Sequence, residues 1–170
     1  AVFESGRVDD TGAIRGNDND ADPRKFEPHY EQITDASEVQ IYEPIIGDPS
    51  GIPTTGLLSA TQYLKDNRLL PRGFEKSSAA PEIGVYGSAT SDPDFTESGD
   101  RIRYTVEVLR TGSYTVEVEL RYQTIGYRWA HNLDTYDAPE PKRFATYYRS
   151  MSSSSSIVVA KAIAQLADRP

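Results

Sequence analysis

Residues 102–123 read IRYTVEVLRTGSYTVEVELRYQ, and apolar side chains occupy every second position on both sides of a glycine turn. Strict alternation over two runs joined by such a turn predicts an antiparallel β-hairpin, in which residues 102–109 pair with residues 114–123. One face of this hairpin is expected to be buried. The apolar residues of that face are Tyr104, Val106, Val108, Val116, Val118 and Leu120.

The sequence period changes after the hairpin. Phe144, Tyr147, Tyr148 and Met151 fall at helical spacing, which predicts a short amphipathic helix over residues 139–151. The apolar run that begins at Ile157 predicts a final strand.

The first half of the chain is richer in turn residues. Residues 1–37 are polar and predict a loop-rich arm, which leaves residues 38–170 as one domain. Residues 39–43 alternate and predict a short strand ended by Pro44, whereas residues 60–67 fit a short helix or an irregular crossover. Strands separated by turns and long loops, with one short helix, predict a mostly β fold, a two-layer antiparallel β-sandwich.

Composition excludes several classes of function. The net charge of −8 argues against nucleic acid as a partner, because phosphate binding needs a concentrated basic face. The chain has no cysteine, so it forms no disulfide, no thiolate metal site and no covalent haem attachment. No apolar run approaches the ~20 residues of a membrane span. The sequence opens at Ala1, and we expect a processed or trimmed piece of something longer.

The densest acidic cluster lies near the N-terminus, where Asp18, Asp20 and Asp22 alternate with other residues. Calcium takes six to eight oxygen ligands, and a D-x-D-x-D loop supplies several of them. The EF-hand pattern is not met, because Pro23 stands where that loop needs glycine. The alternative is a solvated loop with Asx turns.

Other candidate site residues are His29, His131 and a group of rings. Two histidines about a hundred residues apart give no zinc spacing, and no nucleophile motif supports a Ser-His-Asp site, so no catalytic residue is predicted. A sugar-stacking platform is one interpretation of the rings, and closure of the end of the core is the other. The rings are Tyr122, Tyr127, Trp129 and Tyr136, of which Tyr122 is expected on the buried face.

Several stretches together resemble the C-terminal, haem-free region of bacterial multihaem cytochrome c family proteins, over most of the chain. The most specific of them is YLKDNRLLPRGF at residues 63–74. The others are SG at 5–6 through GND at 16–18, EPHY at 27–30, VQIYE at 39–43, TTGLL at 54–58, DRIRY at 100–104 and YQTIGYRWAHNL at 122–133.

The resemblance implies a non-catalytic accessory or docking domain of an exported, periplasmic or extracellular electron-transfer protein. Its partner would be the haem-bearing domain of the same parent, which would hold haem c. His29 would then be the candidate axial ligand, solvent-accessible in the isolated chain, since c-type haem iron commonly takes a histidine. The other interpretation of His29 is that it only hydrogen-bonds within the N-terminal arm. The alternative is a free-standing β-sandwich that binds sugar or calcium, and a hydrolase comes third.

Overall fold

The structure is a computed structural model that describes residues 1–17, 19–108 and 112–167. The chain forms two compact units. The cluster unit comprises Glu4–Gly6 and Gly16–Thr105, and the ribbon unit comprises Ala1–Phe3, Arg7–Arg15 and Val106–Pro170. This division differs from the predicted boundary at residue 38, because most of the predicted arm belongs with the residues that follow it.

The cluster unit contains five short strands in its described residues. The central strand of its larger sheet is β2, which pairs antiparallel with β3 on one side and β4 on the other, while β1 and β5 form a parallel pair. Apolar residues fully or nearly buried in this unit are Ile33, Ile45, Ala89 and Phe95. The strand bounds are β1 Gln32–Ile33, β2 Pro44–Gly47, β3 Pro53–Thr54, β4 Gln62–Asp66 and β5 Arg103–Tyr104.

Two local predictions for the cluster unit are wrong. Residues 39–43 form no strand, and the strand begins instead at Pro44, the residue expected to end it. Residues 60–67 contain β4, neither a helix nor an irregular crossover.

Side chains from β4 and the residue after it explain the first error. The carbonyl oxygen of Ile41 accepts hydrogen bonds from Lys65 Nζ at 2.9 Å and Asn67 Nδ2 at 3.0 Å. The N–H of Glu43 donates to Asn67 Oδ1 at 3.0 Å. The Ile41 carbonyl and the Glu43 N–H are therefore satisfied by side chains instead of by a neighbouring strand.

The ribbon unit is built on two long antiparallel strands, β6 (Tyr114–Gln123) and β7 (Ser156–Leu166). The predicted final strand is confirmed as β7. The predicted hairpin is wrong, because β6 pairs with β7 and residues Arg103–Tyr104 form β5 in the other unit. Leu109 and Thr111, the first residue of the turn predicted around Thr111-Gly112, lie outside the described residues. Alternation identifies the apolar face of a strand, but it does not identify the strand's partner.

The predicted burial of the apolar face is also wrong. Val116, Val118 and Leu120 are 40%, 52% and 39% exposed. Tyr104, Val106 and Val108 are exposed as well. Period two shows that one face of a strand is apolar, but it does not show that this face is covered.

The two faces of the β6–β7 ribbon differ sharply in chemistry. Residues directly opposite each other in an antiparallel pair share a face, so the register assigns every side chain. On the charged face, Lys161 bridges Glu117 and Glu119, and Arg121 pairs with Glu119 at 2.7 Å. We call the other face the apolar face; it comprises Tyr114, Val116, Val118, Leu120, Tyr122, Ile157, Ala160, Ala162, Ala164 and Leu166.

Two α-helices connect the ribbon strands, α1 (Tyr127–Asn132) and α2 (Pro139–Met151), and α2 confirms the predicted helix. Proline at the first helical position suits the start of α2, since its fixed φ is helical and its missing N–H would have no partner there. Ala145 is the buried residue of α2. Short 3-10 turns lie at Asn19–Ala21, Pro81–Ile83, Gly87–Thr90, Leu133–Thr135 and Ser152–Ser154.

An N-terminal loop at residues 10–12 is hydrogen-bonded to the base of the ribbon, the end at which β6 stops and β7 begins. The side chain of Gln123 donates to the carbonyl oxygen of Gly12 at 3.0 Å, and Ser152 Oγ donates to that of Asp10 at 2.7 Å. Gly12 has a φ of +86°, and a Cβ atom there would lie 2.5 Å from the Tyr148 hydroxyl oxygen. Glycine is therefore required by both backbone conformation and space.

We expect Gly12→Ala to destabilise the ribbon unit by roughly 1–3 kcal/mol, because it combines left-handed strain with a clash. Thermal unfolding followed by circular dichroism measures the loss. Gly16→Ala is the matched control, with a φ of +81° and nothing within 4 Å of the added Cβ. Equal losses for the two variants would contradict the packing of the loop against Tyr148.

Candidate functional site

A buried polar cluster occupies the centre of the cluster unit, with His29 in the middle. His29 Nε2 lies 3.0 Å from Asp92 Oδ2 and 3.9 Å from Asp100 Oδ2. The three side chains are 0%, 2% and 1% exposed, respectively. Phe95 packs edge-on against the imidazole at 5.0 Å between ring centroids. The ring is thus sealed from solvent, with two carboxylates on one side.

Two amide side chains on the other side of the ring determine the tautomer of His29. His29 Nδ1 lies 2.7 Å from Gln40 Nε2 and 3.1 Å from Asn67 Nδ2. Neither amide is free to turn over, because Gln40 Oε1 accepts from the Tyr30 N–H and Asn67 bonds to backbone through both of its polar atoms. Both amides therefore donate toward Nδ1, which leaves His29 Nε2 carrying the proton that Asp92 accepts.

The same tautomer decides whether the group fits a metal ion. His29, Asp92 and Asp100 offer ligand atoms within 4.8 Å of one another. A neutral histidine that binds metal through Nε2 keeps its hydrogen on Nδ1, where it needs an acceptor. Here Nδ1 faces two N–H donors, so the surroundings of His29 do not fit a resident cation.

Tyr42 and Gln40 both contact one oxygen of Asp100, whereas the other, Oδ1, is buried with no hydrogen-bond partner among the described residues. Tyr42 donates its hydroxyl to Asp100 Oδ2 at 2.8 Å, and Gln40 Nε2 lies 3.3 Å from the same oxygen. Burial and the neighbouring carboxylate both raise the pKa of Tyr42 well above its ordinary value. The phenol therefore stays protonated and acts as a donor.

Lys65 gives the cluster a second anchor. Its ammonium group is 1% exposed and donates to the carbonyl oxygens of Glu27 and Ile41 at 2.8 and 2.9 Å. It also lies 3.3 Å from Glu43 Oε1. The polar side chains thus join four separate stretches of sequence through buried hydrogen bonds, which are stronger in a low-dielectric interior than in water.

Asp92 makes the stability of the cluster unit depend on pH. Burial by itself raises the pKa of Asp92, but hydrogen bonds from His29 and from the Asp94 N–H outweigh it, so the pKa lies below its ordinary value of 3.8. A depressed carboxyl pKa contributes stability that is present above the unfolded value and is lost as pH falls through the folded one.

We therefore expect the melting temperature of the cluster unit in the wild-type chain to decrease as the pH drops below about 4. We call this decrease the acid limb. Asp92→Asn is expected to lower the melting temperature at pH 7 and to flatten this acid limb. Asp94→Asn, at an exposed neighbour, serves as the control and should leave the limb in place. An unchanged acid limb in Asp92→Asn would contradict the assignment.

The chain was compared with family models, curated proteins and solved structures. No family model, curated protein or solved structure matches this chain. Among the described helices, none combines the length and apolarity needed to cross a membrane.

The predicted exposure of His29 is wrong. The prediction rested on its place in the N-terminal part and on the preceding proline, whereas the structure seals the ring and engages both nitrogens. Iron could reach His29 only after the cluster had opened.

The structure describes part of the acidic loop. Asp22 Oδ1 accepts from the Arg24 N–H at 2.9 Å, and Asn17 Oδ1 accepts from the Asn19 N–H at 2.8 Å. Both are Asx turns, the alternative interpretation of this loop. Asp18 and the side chain of Asp20 lie outside the described residues, so calcium binding stays a prediction.

If the loop binds calcium, millimolar calcium should raise the melting temperature and EDTA should reverse the rise, because a ligand of the native state alone stabilises it. Asp22→Asn is expected to reduce the calcium-dependent rise. Asp48→Asn is the control, since Asp48 caps another turn at Ser50 and Ile52. No change with either reagent would leave the loop as Asx turns.

The aromatic residues lie in the ribbon unit. Tyr127 stacks on His131 with ring centroids 5.3 Å apart, and both belong to α1 with the half-buried Trp129. Tyr136 follows the next turn and is 51% exposed. Tyr122 is 55% exposed on the apolar face of β6, so its predicted burial is wrong.

Sequence reasoning missed most of the polar cluster. Gln40, Asn67, Asp92 and Asp100 are separated by 60 positions from first to last, and no spacing pattern connects them. It likewise identified the residues of the apolar face in β6 but assigned them to a core.

Proposed function

We propose that this chain is a non-catalytic docking module whose contact surface is the apolar face of the β6–β7 ribbon. The observation that carries the proposal is the exposure of that face from Val116 to Tyr122 of β6 and from Ile157 to Leu166 of β7, while every charged side chain on the ribbon lies on the opposite face. A two-stranded ribbon is marginally stable by itself in water. Large exposed apolar patches mark protein interaction sites.

The polar cluster supports a structural role for the other unit. Catalysis by histidine needs a ring nitrogen within reach of a substrate. His29 uses one nitrogen on Asp92 and the other on two amides, all away from solvent. The cluster therefore holds the fold of its unit together, and the docking surface lies in the ribbon unit.

The resemblance supplies the partner in this proposal. It is the haem-bearing part of an exported multihaem c-type cytochrome that works in electron transfer in the periplasm or outside the cell. Haem c would belong to that part. A sheet of the partner lying over the apolar face would supply the second layer of the predicted two-layer sandwich, since sheets stack face to face about 10 Å apart.

Two observations test the proposal. The gene upstream of this chain is expected to encode C-x-x-C-H motifs, and the purified haem-bearing part is expected to be retained by the immobilised chain, visible by its haem absorbance. A gene without such motifs, or a haem-bearing part that passes through unretained, would favour the free-standing ligand-binding module.

A further inference from the structure

A cleft opens at the base of the ribbon, where the apolar face ends. Its volume is about 250 Å³. Tyr122 and Ile157, which face each other across β6 and β7, form one wall. Ile125 and the α2 residues Tyr148 and Met151 contribute the rest of its apolar lining. The cleft is therefore continuous with the apolar face.

The cleft makes few polar demands on an occupant. Among the described residues that line it, none carries a charge. Of its hydroxyl groups, Ser155 Oγ donates to the Ser152 carbonyl and accepts from Gln123, and Ser154 Oγ donates to the Met151 carbonyl. These two serines are satisfied within the chain, so an apolar group entering the cleft would not strip them of partners.

Area shows why the cleft matters for docking. One face of a two-stranded ribbon of this length is about 35 Å long and roughly 10 Å wide. That projected area is well below the ~800 Å² that each partner contributes to a standard interface. A partner that lies on the ribbon needs further contact, and the cleft adjoins the face at Tyr122 and Ile157. Binding energy in interfaces concentrates where a bulky side chain fills a pocket.

We infer that the cleft receives one bulky, uncharged side chain, an aromatic ring, from an extended segment of the docking partner. This inference rests on the proposed function. The volume suffices, since a dry cavity of ~150 Å³ in another protein holds benzene. The lining excludes a charged group, because an unpaired charge would lose its hydration without gaining a partner.

The test uses the whole chain with p-cresol, which has the side chain of tyrosine, and benzoate as its charged counterpart. Met151 is the one methionine in the sequence, so a 13C-labelled methionine methyl group reports on the cleft without assignment. We expect p-cresol to shift this resonance saturably and to bind at least tenfold more tightly than benzoate. Thr124→Trp, at a residue of the lining, places an indole in the cleft and should weaken p-cresol binding at least tenfold.

Thr115→Trp is the matched control, because Thr115 lies on the charged face of the ribbon and bonds to Gln165. It should bind p-cresol as the wild type does. Absence of a shift, equal binding of benzoate, or unchanged binding in Thr124→Trp would overturn the inference. Val118→Glu places a charge on the apolar face and so tests the proposed function separately. If p-cresol does not bind but Val118→Glu prevents docking, the cleft inference fails and the proposed function stands. If p-cresol binds but docking is insensitive to Val118→Glu, the proposed function fails, and the inference that the cleft receives a side chain of the docking partner fails with it.

Discussion

Replacement of His29 by alanine is expected to destabilise the cluster unit by about 3–5 kcal/mol, the cost of breaking a buried charged network. The variant leaves the buried Asp92 Oδ2 without the His29 donor and removes one acceptor from each of the Gln40 and Asn67 amides. For a unit of this size, such a loss corresponds to a melting temperature lower by roughly 15–30 °C. Thermal unfolding at pH 7 measures it.

His131→Ala is the matched control for this prediction. His131 is the other histidine of the chain, its side chain is 48% exposed, and it contacts Tyr127 and Asp134 at the surface. Its replacement should change the stability by less than about 1 kcal/mol. Similar small losses in both variants would mean that the cluster does not hold the unit together.

The second large effect concerns docking. Val118→Glu is expected to weaken binding of the proposed haem-bearing partner by at least ~100-fold, since a charge buried against an apolar partner costs several kcal/mol and each 1.4 kcal/mol is tenfold. Val118 is 52% exposed in the chain itself, so the variant should fold normally. Titration calorimetry with the purified haem-bearing part measures the change.

Ile163→Glu separates the two faces of the ribbon. Ile163 is 59% exposed and lies opposite Glu117 on the charged face. The same substitution there should leave binding within about threefold of the wild type, because rim charges contribute little to affinity. Equal effects of the two substitutions would mean that binding does not depend on the apolar face.

Local patterns predicted the elements of the ribbon unit well. Alternation from Tyr114 to Gln123 and the apolar run from Ile157 identified β6 and β7, and helical spacing identified α2. The pairing of β6 was predicted wrongly because its true partner, β7, lies some 40 residues away, beyond α1 and α2. Residues 102–109 lie much closer in sequence, just before a glycine turn, and the alternation therefore favours them as the partner. A period of two carries no information about sequence separation.

The polar cluster could not be predicted for a different reason. Its members come from loops and strand ends, where residue type alone does not distinguish a solvated side chain from a buried one. His29 shows this most clearly, because a histidine after a proline in a polar segment is expected at the surface. Only the fold brings Gln40, Asn67, Asp92 and Asp100 around it.

Amide hydrogen exchange along β6 and β7 tests the proposed docking surface most directly, by comparing the isolated chain with the proposed full-length parent. Residues 114–123 and 156–166 pair only with each other among the described strands, and an uncovered ribbon opens readily. We predict fast exchange of these amides in the isolated chain and protection greater by about 100-fold or more in the parent, where a partner covers the apolar face. Equal exchange in both would contradict a docking role for the ribbon.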